Sequence, residues 1–291
     1  VYRPIHAAIL YRQGYELAEL DRFERANDTF DRAYDLRPRD RGFVEYAELY
    51  EQKYRYGLAV GKYDQLVFGM DPERRDVLMQ VVREGRLGEA WIDPSQNRHT
   101  YADFINFDKE AILDHAELQS ETLAGYRRAD DLYSIILHFD EYDYEGLLGR
   151  GDNYMRWAEE DPSYYEQARL TYATMLRRYG DTDEILMRFL RYFVRTDNQE
   201  RTEEIVAIFE EVSPEAPVDP KIYAEAAGYL LDTGRITGIR DMLIRAYNEE
   251  PTVPEIHYEL ARYNDTVDAF QEERANLNDA ITTFADAEPL S

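Results

Sequence analysis

Between Ala7 and Asp40 the chain carries two apolar stripes of the kind that a pair of antiparallel helices buries. Leu10, Gly14 and Leu17 follow one another at intervals of four and three, which places them on one side of a helix. Asp21 interrupts, and Phe23, Ala26, Phe30 and Ala33 make a second stripe that stops short of Pro38. A proline cannot extend that helix, and it pushes the preceding residue toward an extended backbone. The small residues count as much as the large ones. Gly14, Ala26 and Ala33 are places where two helix backbones can approach closely.

The order Leu10, Gly14, Leu17, Phe23, Ala26, Phe30, Ala33, Pro38 resembles a tetratricopeptide repeat, a helix–turn–helix unit of about 34 residues. The resemblance implies an all-α, right-handed superhelical solenoid of stacked helix pairs with a concave groove and a binding role. The rest of the chain can be measured against this unit. Units are expected over 7–40, 41–70, 71–109, 110–143, 144–182, 183–216, 219–252 and 253–287, forming one solenoid across 1–291. Each stripe is then covered by the next unit, so the array folds as a length.

The match varies along the chain. Gly57, Gly61 and Gly69 predict a bend or a shortened helix in the second unit. Asp71-Pro72 opens a helix, Gly85 makes a turn, and Leu87 and Ala90 begin a return helix. The third unit is then interrupted over 93–107. Asp93-Pro94-Ser95-Gln96-Asn97 is turn-forming, and His99, Tyr101, Phe104 and Phe107 follow it. Loops carried by a rigid scaffold often hold function, although such aromatics can also fold back onto the core. Asp161-Pro162 marks a longer turn in the unit 144–182, and the segment after Ala285 reads as a polar, frayed tail. No strand is expected anywhere.

Charge narrows the partners. Against 34 basic residues stand 60 acidic ones, a net charge of −26 that repels nucleic acid and anionic membrane surfaces. The absence of cysteine excludes disulfides, thiolate metal sites and cysteine nucleophiles. No apolar run is long enough to span a bilayer. The chain begins at Val1 without an initiator methionine or a signal-peptide pattern, which reads as an excised piece of a longer protein.

Motifs for chemistry are missing. The five histidines, His6, His99, His115, His138 and His257, are too far apart for two imidazoles on one helix turn to share a metal. Glu141 to Asp152 has acids spaced like a calcium loop, yet its first and last places lack the required aspartate and glutamate. The many adjacent acid pairs, such as Glu203-Glu204, read as solvated helix faces, because catalytic carboxylates need a dry pocket that splits their pKa values. No catalytic residue, cofactor or metal is expected.

In tetratricopeptide domains, the place after the first large apolar residue and the place four further on tend to face the groove. By the resemblance these are Tyr11 and Tyr15, Asp114 and Leu118, Leu148 and Asp152, Met187 and Arg191, Ala224 and Gly228, and Tyr258 and Arg262. The lysine and asparagine that grip acidic chaperone tails in that family are missing from these places. The candidate partner-binding residues are Tyr11, Tyr15, His99, Tyr101, Phe104, Arg191, Arg195, Tyr258 and Arg262. A non-enzymatic protein–protein scaffold within a multi-protein assembly is therefore expected. The setting it suggests is a bacterial cell-envelope machine for secretion, a pilus or a flagellar motor, with the periplasm favoured. The alternatives are an architectural subunit that associates with copies of itself, and a targeting module of an enzyme lying outside this stretch.

Overall fold

The computed structural model describes residues 2–38, 42–92, 98–212, 215–268 and 271. Apart from one small ribbon, its regular structure is helical. The chain divides into two compact units, 1–171 and 172–291.

The first unit holds α1 (Tyr2–Glu19), α2 (Phe23–Leu36), α3 (Gly42–Gln52), α4 (Tyr56–Phe68), α5 (Pro72–Arg83), α6 (Lys109–Glu117), α7 (Tyr126–Phe139) and α8 (Tyr144–Trp157). It ends within α9 (Tyr164–Tyr179). Helices adjacent in sequence pack together: α1 on α2, α3 on α4, α6 on α7 and α7 on α8. The first pair shows how close the approach is. A Cβ on Gly14 would stand 2.2 Å from a ring carbon of Phe30, which is fully buried and stacked on Tyr46 at 3.5 Å between centroids. The second helices α2 and α4 are joined by polar contacts. The buried Lys62 ammonium donates to Asp31 at 2.6 Å and to Gln65 at 2.9 Å, and the Tyr34 hydroxyl donates to the Gln65 carbonyl. Burial lowers the Lys62 pKa, and Asp31 pulls it back up.

The second unit continues with α10 (Asp183–Arg195), α11 (Gln199–Ala207), α12 (Pro220–Asp232), α13 (Ile239–Glu249) and α14 (residues 254–268). It packs α10 on α11, α12 on α13 and α10 on α12. Its core is built from Leu186, Leu190, Val206, Phe209, Tyr223 and Leu243 with several alanines of α12. Asp219 opens α12 by accepting a bond from the Ile222 amide, and Pro220 occupies the first helical position.

One turn recurs at the ends of helices. Asp21, Tyr54, Gly85, Asp197 and Gly234 are each left-handed. In each case the next residue's amide closes onto a carbonyl five places back: Arg22 to Leu17, Arg55 to Tyr50, Arg86 to Val81, Asn198 to Phe193 and Arg235 to Leu230. This is the Schellman closure of a helix C-terminus. Ala124 also has positive φ, after a π turn of Leu118–Thr122 that extends α6.

Three local expectations fail. Gly57 and Gly61 do not break or shorten α4, which runs for 13 residues with Ala59, Tyr63, Leu66 and Val67 anchoring its buried side. Packing overrides the weak propensity penalty of glycine there. The return helix at Leu87 and Ala90 does not form. Leu87 is buried in a turn, and a ribbon replaces the helix: β1 (Ala90–Ile92) pairs antiparallel with β2 (Arg98–Thr100). The expectation of no strand is thus wrong here. Trp91 and Thr100 suit a pleated ribbon, and the Trp91 ring meets Tyr101 at 5.3 Å and Phe104 at 5.4 Å, contacts a helix at this point would not make. The turn residues Asp93 to Asn97, the last unit's Ala280 and the tail after Ala285 lie outside the described residues.

Candidate functional site

The acids of α3 and α6 converge. Glu48 and Glu51 are three apart on α3, and Asp114 and Glu117 are three apart on α6, so each pair shares a helix face. With Gln52, Tyr63, Leu118 and Glu121 they line a cavity of about 360 Å³. The Tyr63 hydroxyl donates to Glu51 at 2.8 Å, and the Tyr63 ring is fully buried against His115.

These carboxylates sit in each other's field. Burial, then Glu48, Glu117 and Glu51, raise Asp114 to about 6. Burial and Glu121 raise Glu117, and burial raises Glu51 although the Tyr63 bond opposes it. At the rim, Arg156 pairs with Glu121 and donates to Ser120 at 3.3 Å. A cavity walled by acceptors in a low-dielectric corner favours a cationic guest. Among the described residues, no three histidine or carboxylate side chains are grouped as a metal site.

The residues singled out in the sequence are dispersed. Tyr11 turns its ring inward, 5.8 Å from Phe43 and 5.4 Å from Tyr46, whereas Tyr15 on the same helix is exposed. His99, Tyr101 and Phe104 do come together around the ribbon. The His99 and Phe104 rings are 5.9 Å apart, and the Arg74 guanidinium lies 5.7 Å from the Phe104 centroid. Arg191 is half-buried on α10. Arg195 and Arg262 each bridge two helices: Arg195 donates to Glu225 on α12 at 3.1 Å, while Arg262 pairs with Asp232 on α12 and with Glu259 at 2.7 Å. Tyr258 is 64% exposed, with Arg262 over its ring.

Of the other groove positions, Asp114 and Leu118 line the acidic cavity, whereas Met187 and Ala224 are buried. Sequence reasoning missed Glu48, Glu51, Glu117 and Glu121. Their three- and four-residue spacing on helices that open a pair was the available signal, hidden by the same spacing elsewhere in so acidic a chain. No family model matches the chain, and no curated protein matches it significantly.

Proposed function

We propose that this chain is a right-handed, tetratricopeptide-like scaffold that holds a protein partner in a multi-protein assembly and performs no chemistry on it. The observation behind this reading is the recurring left-handed turn at Asp21, Tyr54, Gly85, Asp197 and Gly234, which closes helix after helix in the same way. Such closures turn one helix back toward the next, and helices adjacent in sequence do pack together, as in a stack of helix pairs. The acids around Asp114 further suggest a partner segment rich in lysine or arginine, since such side chains relieve the crowding of like charges.

Binding of a short lysine- and arginine-rich peptide, measured by calorimetry beside its glutamate-rich twin, tests the reading. The basic peptide should bind and weaken with added salt, because the Debye length shrinks to about 8 Å at physiological ionic strength. Glu48→Lys with Glu117→Lys should weaken it by about tenfold or more. Equal binding of both peptides, or indifference to the charge reversal, refutes it.

Self-association is a second reading with one observation in its favour: Ile5 and Ile9, four apart on α1, are 61% and 50% exposed. Sedimentation velocity should then show a concentration-dependent dimer that Ile5→Glu with Ile9→Glu abolishes. A strict monomer removes this reading.

A further inference from the structure

A second cavity lies in the first unit, away from the acids, and its chemistry is the reverse. It has a volume of about 570 Å³ and is bounded by the end of α5 with its following turn, by α7, by α8 and by the start of α9. That is the size of a small-molecule site.

Its two carboxylates are committed to the protein. Asp131 is 5% exposed and accepts from Arg83 Nε at 2.8 Å. Asp130 accepts from Arg150 Nε at 2.7 Å and from the Tyr154 hydroxyl at 2.7 Å. The donors are not used up. Arg127 reaches the cavity from the exposed side of α7 and, among the described residues, has no ion pair. With Arg83 and Arg150 it makes three guanidiniums against two carboxylates, a local excess of positive charge in a chain of net charge −26. Ser134 and Gln167 add polar groups to the lining. Part of the lining is a stack of rings, with Trp157 on Tyr164 at 3.7 Å and 13° and Tyr154 offset beside Tyr164 at 6.0 Å and 16°.

A donor-rich pocket whose acids are already satisfied calls for an acceptor, and guanidinium forks match planar oxyanions. A slab of stacked rings favours a planar apolar group beside that anion. From these features we infer that the cleft binds an oxyanion carried next to a flat ring, with Arg127 as the principal charge contact and Trp157–Tyr164 as the platform. The carrier is either a free aromatic acid or the aromatic C-terminus of a peptide, since both present the same chemistry. The inference does not depend on the acidic cavity, which is lined by other residues.

The chain has two tryptophans, so Trp91→Phe leaves Trp157 as the sole reporter inside the cleft. Benzoate, phenyl phosphate and benzamide are titrated against this variant, together with a peptide ending in a free phenylalanine carboxylate and its amidated twin. Saturable change in Trp157 emission is expected with at least one of the anions, and about tenfold weaker response with its neutral counterpart. Binding by benzoate or phenyl phosphate alone identifies a free acid as carrier, and tighter binding by the peptide carboxylate identifies a chain terminus. Arg127→Ala should weaken the anion about tenfold while the far-ultraviolet circular dichroism stays unchanged, and Arg127→Lys should restore part of the loss. Benzamide binding as well as benzoate overturns the inference. So does an Arg127→Ala variant that binds unchanged, or silence of Trp157 toward all the anions up to about 10 mM, where no more than about 3 kcal/mol of affinity would remain.

Discussion

Replacing Gly14 by alanine should open the first helix pair. The new methyl would lie 2.2 Å from Phe30 Cε1 and 2.4 Å from Cδ1. The ring has nowhere to swing, because it is stacked on Tyr46 at 3.5 Å and meets Tyr50 edge-on at 6.0 Å. The helices must therefore separate. Overpacking of this kind costs about 1–3 kcal/mol, and a buried ring held on both sides puts the cost toward the upper end. Alanine returns about 1 kcal/mol of helix propensity. The control is Gly61→Ala in α4, where a Cβ meets nothing within 4 Å, so that change should return the propensity without the clash. The two variants should then differ by about 2–3 kcal/mol. For a unit of this size that corresponds to about 5–10 °C in melting temperature. Urea denaturation followed by circular dichroism, with the slope of each transition checked for constancy, measures the gap. Phe30→Leu in the Gly14→Ala background should recover part of the loss. Equal stability of the two alanine variants would refute the close approach of α1 and α2.

The raised Asp114 makes stability depend on pH. Its folded pKa, about 6, lies above its ordinary value of 3.8, so its favourable contribution is complete below pH 3.8 and is lost as pH rises through 6. After discounting for partial exposure, Asp114→Asn should stabilise the protein by about 1 kcal/mol at pH 7 and change little near pH 4, as measured by urea midpoints at both pH values. Tyr54 holds φ at 56° and is 79% exposed, so Tyr54→Gly should stabilise the protein by about 0.5–1 kcal/mol, read as a higher urea midpoint; a lower midpoint would mean that the ring contributes packing. Asp219→Ala removes the N-cap of α12 and should cost about 1 kcal/mol, seen as faster amide exchange in the first turn of that helix.

Much of the helical order was legible in the sequence because its signals are local. Pro38, Asp71-Pro72 and Asp219-Pro220 announce helix limits by backbone chemistry alone, and stripes such as Leu186, Leu190 and Phe193 carry the helical period. The left-handed turns were harder to see. Asp21, Tyr54, Ala124 and Asp197 adopt a conformation that glycine advertises and these residues do not. The ribbon at Ala90 to Thr100 was hidden for a similar reason, since three-residue strands carry too little alternation to oppose the helical reading. Neither cavity could be read locally. The acidic one needs α3 beside α6, and Arg195 and Arg262 looked free until Glu225 and Asp232 came alongside. Packing between elements distant in sequence decides such matters.

Amide hydrogen exchange with and without the lysine- and arginine-rich peptide reads out whether α3 and α6 present an acidic face to a basic partner. Protection concentrated on α3 and α6 around Glu48, Glu51, Asp114 and Glu117 is predicted at low salt, fading as salt is added. Protection centred elsewhere, or exchange that the peptide leaves unchanged at low salt, would contradict it.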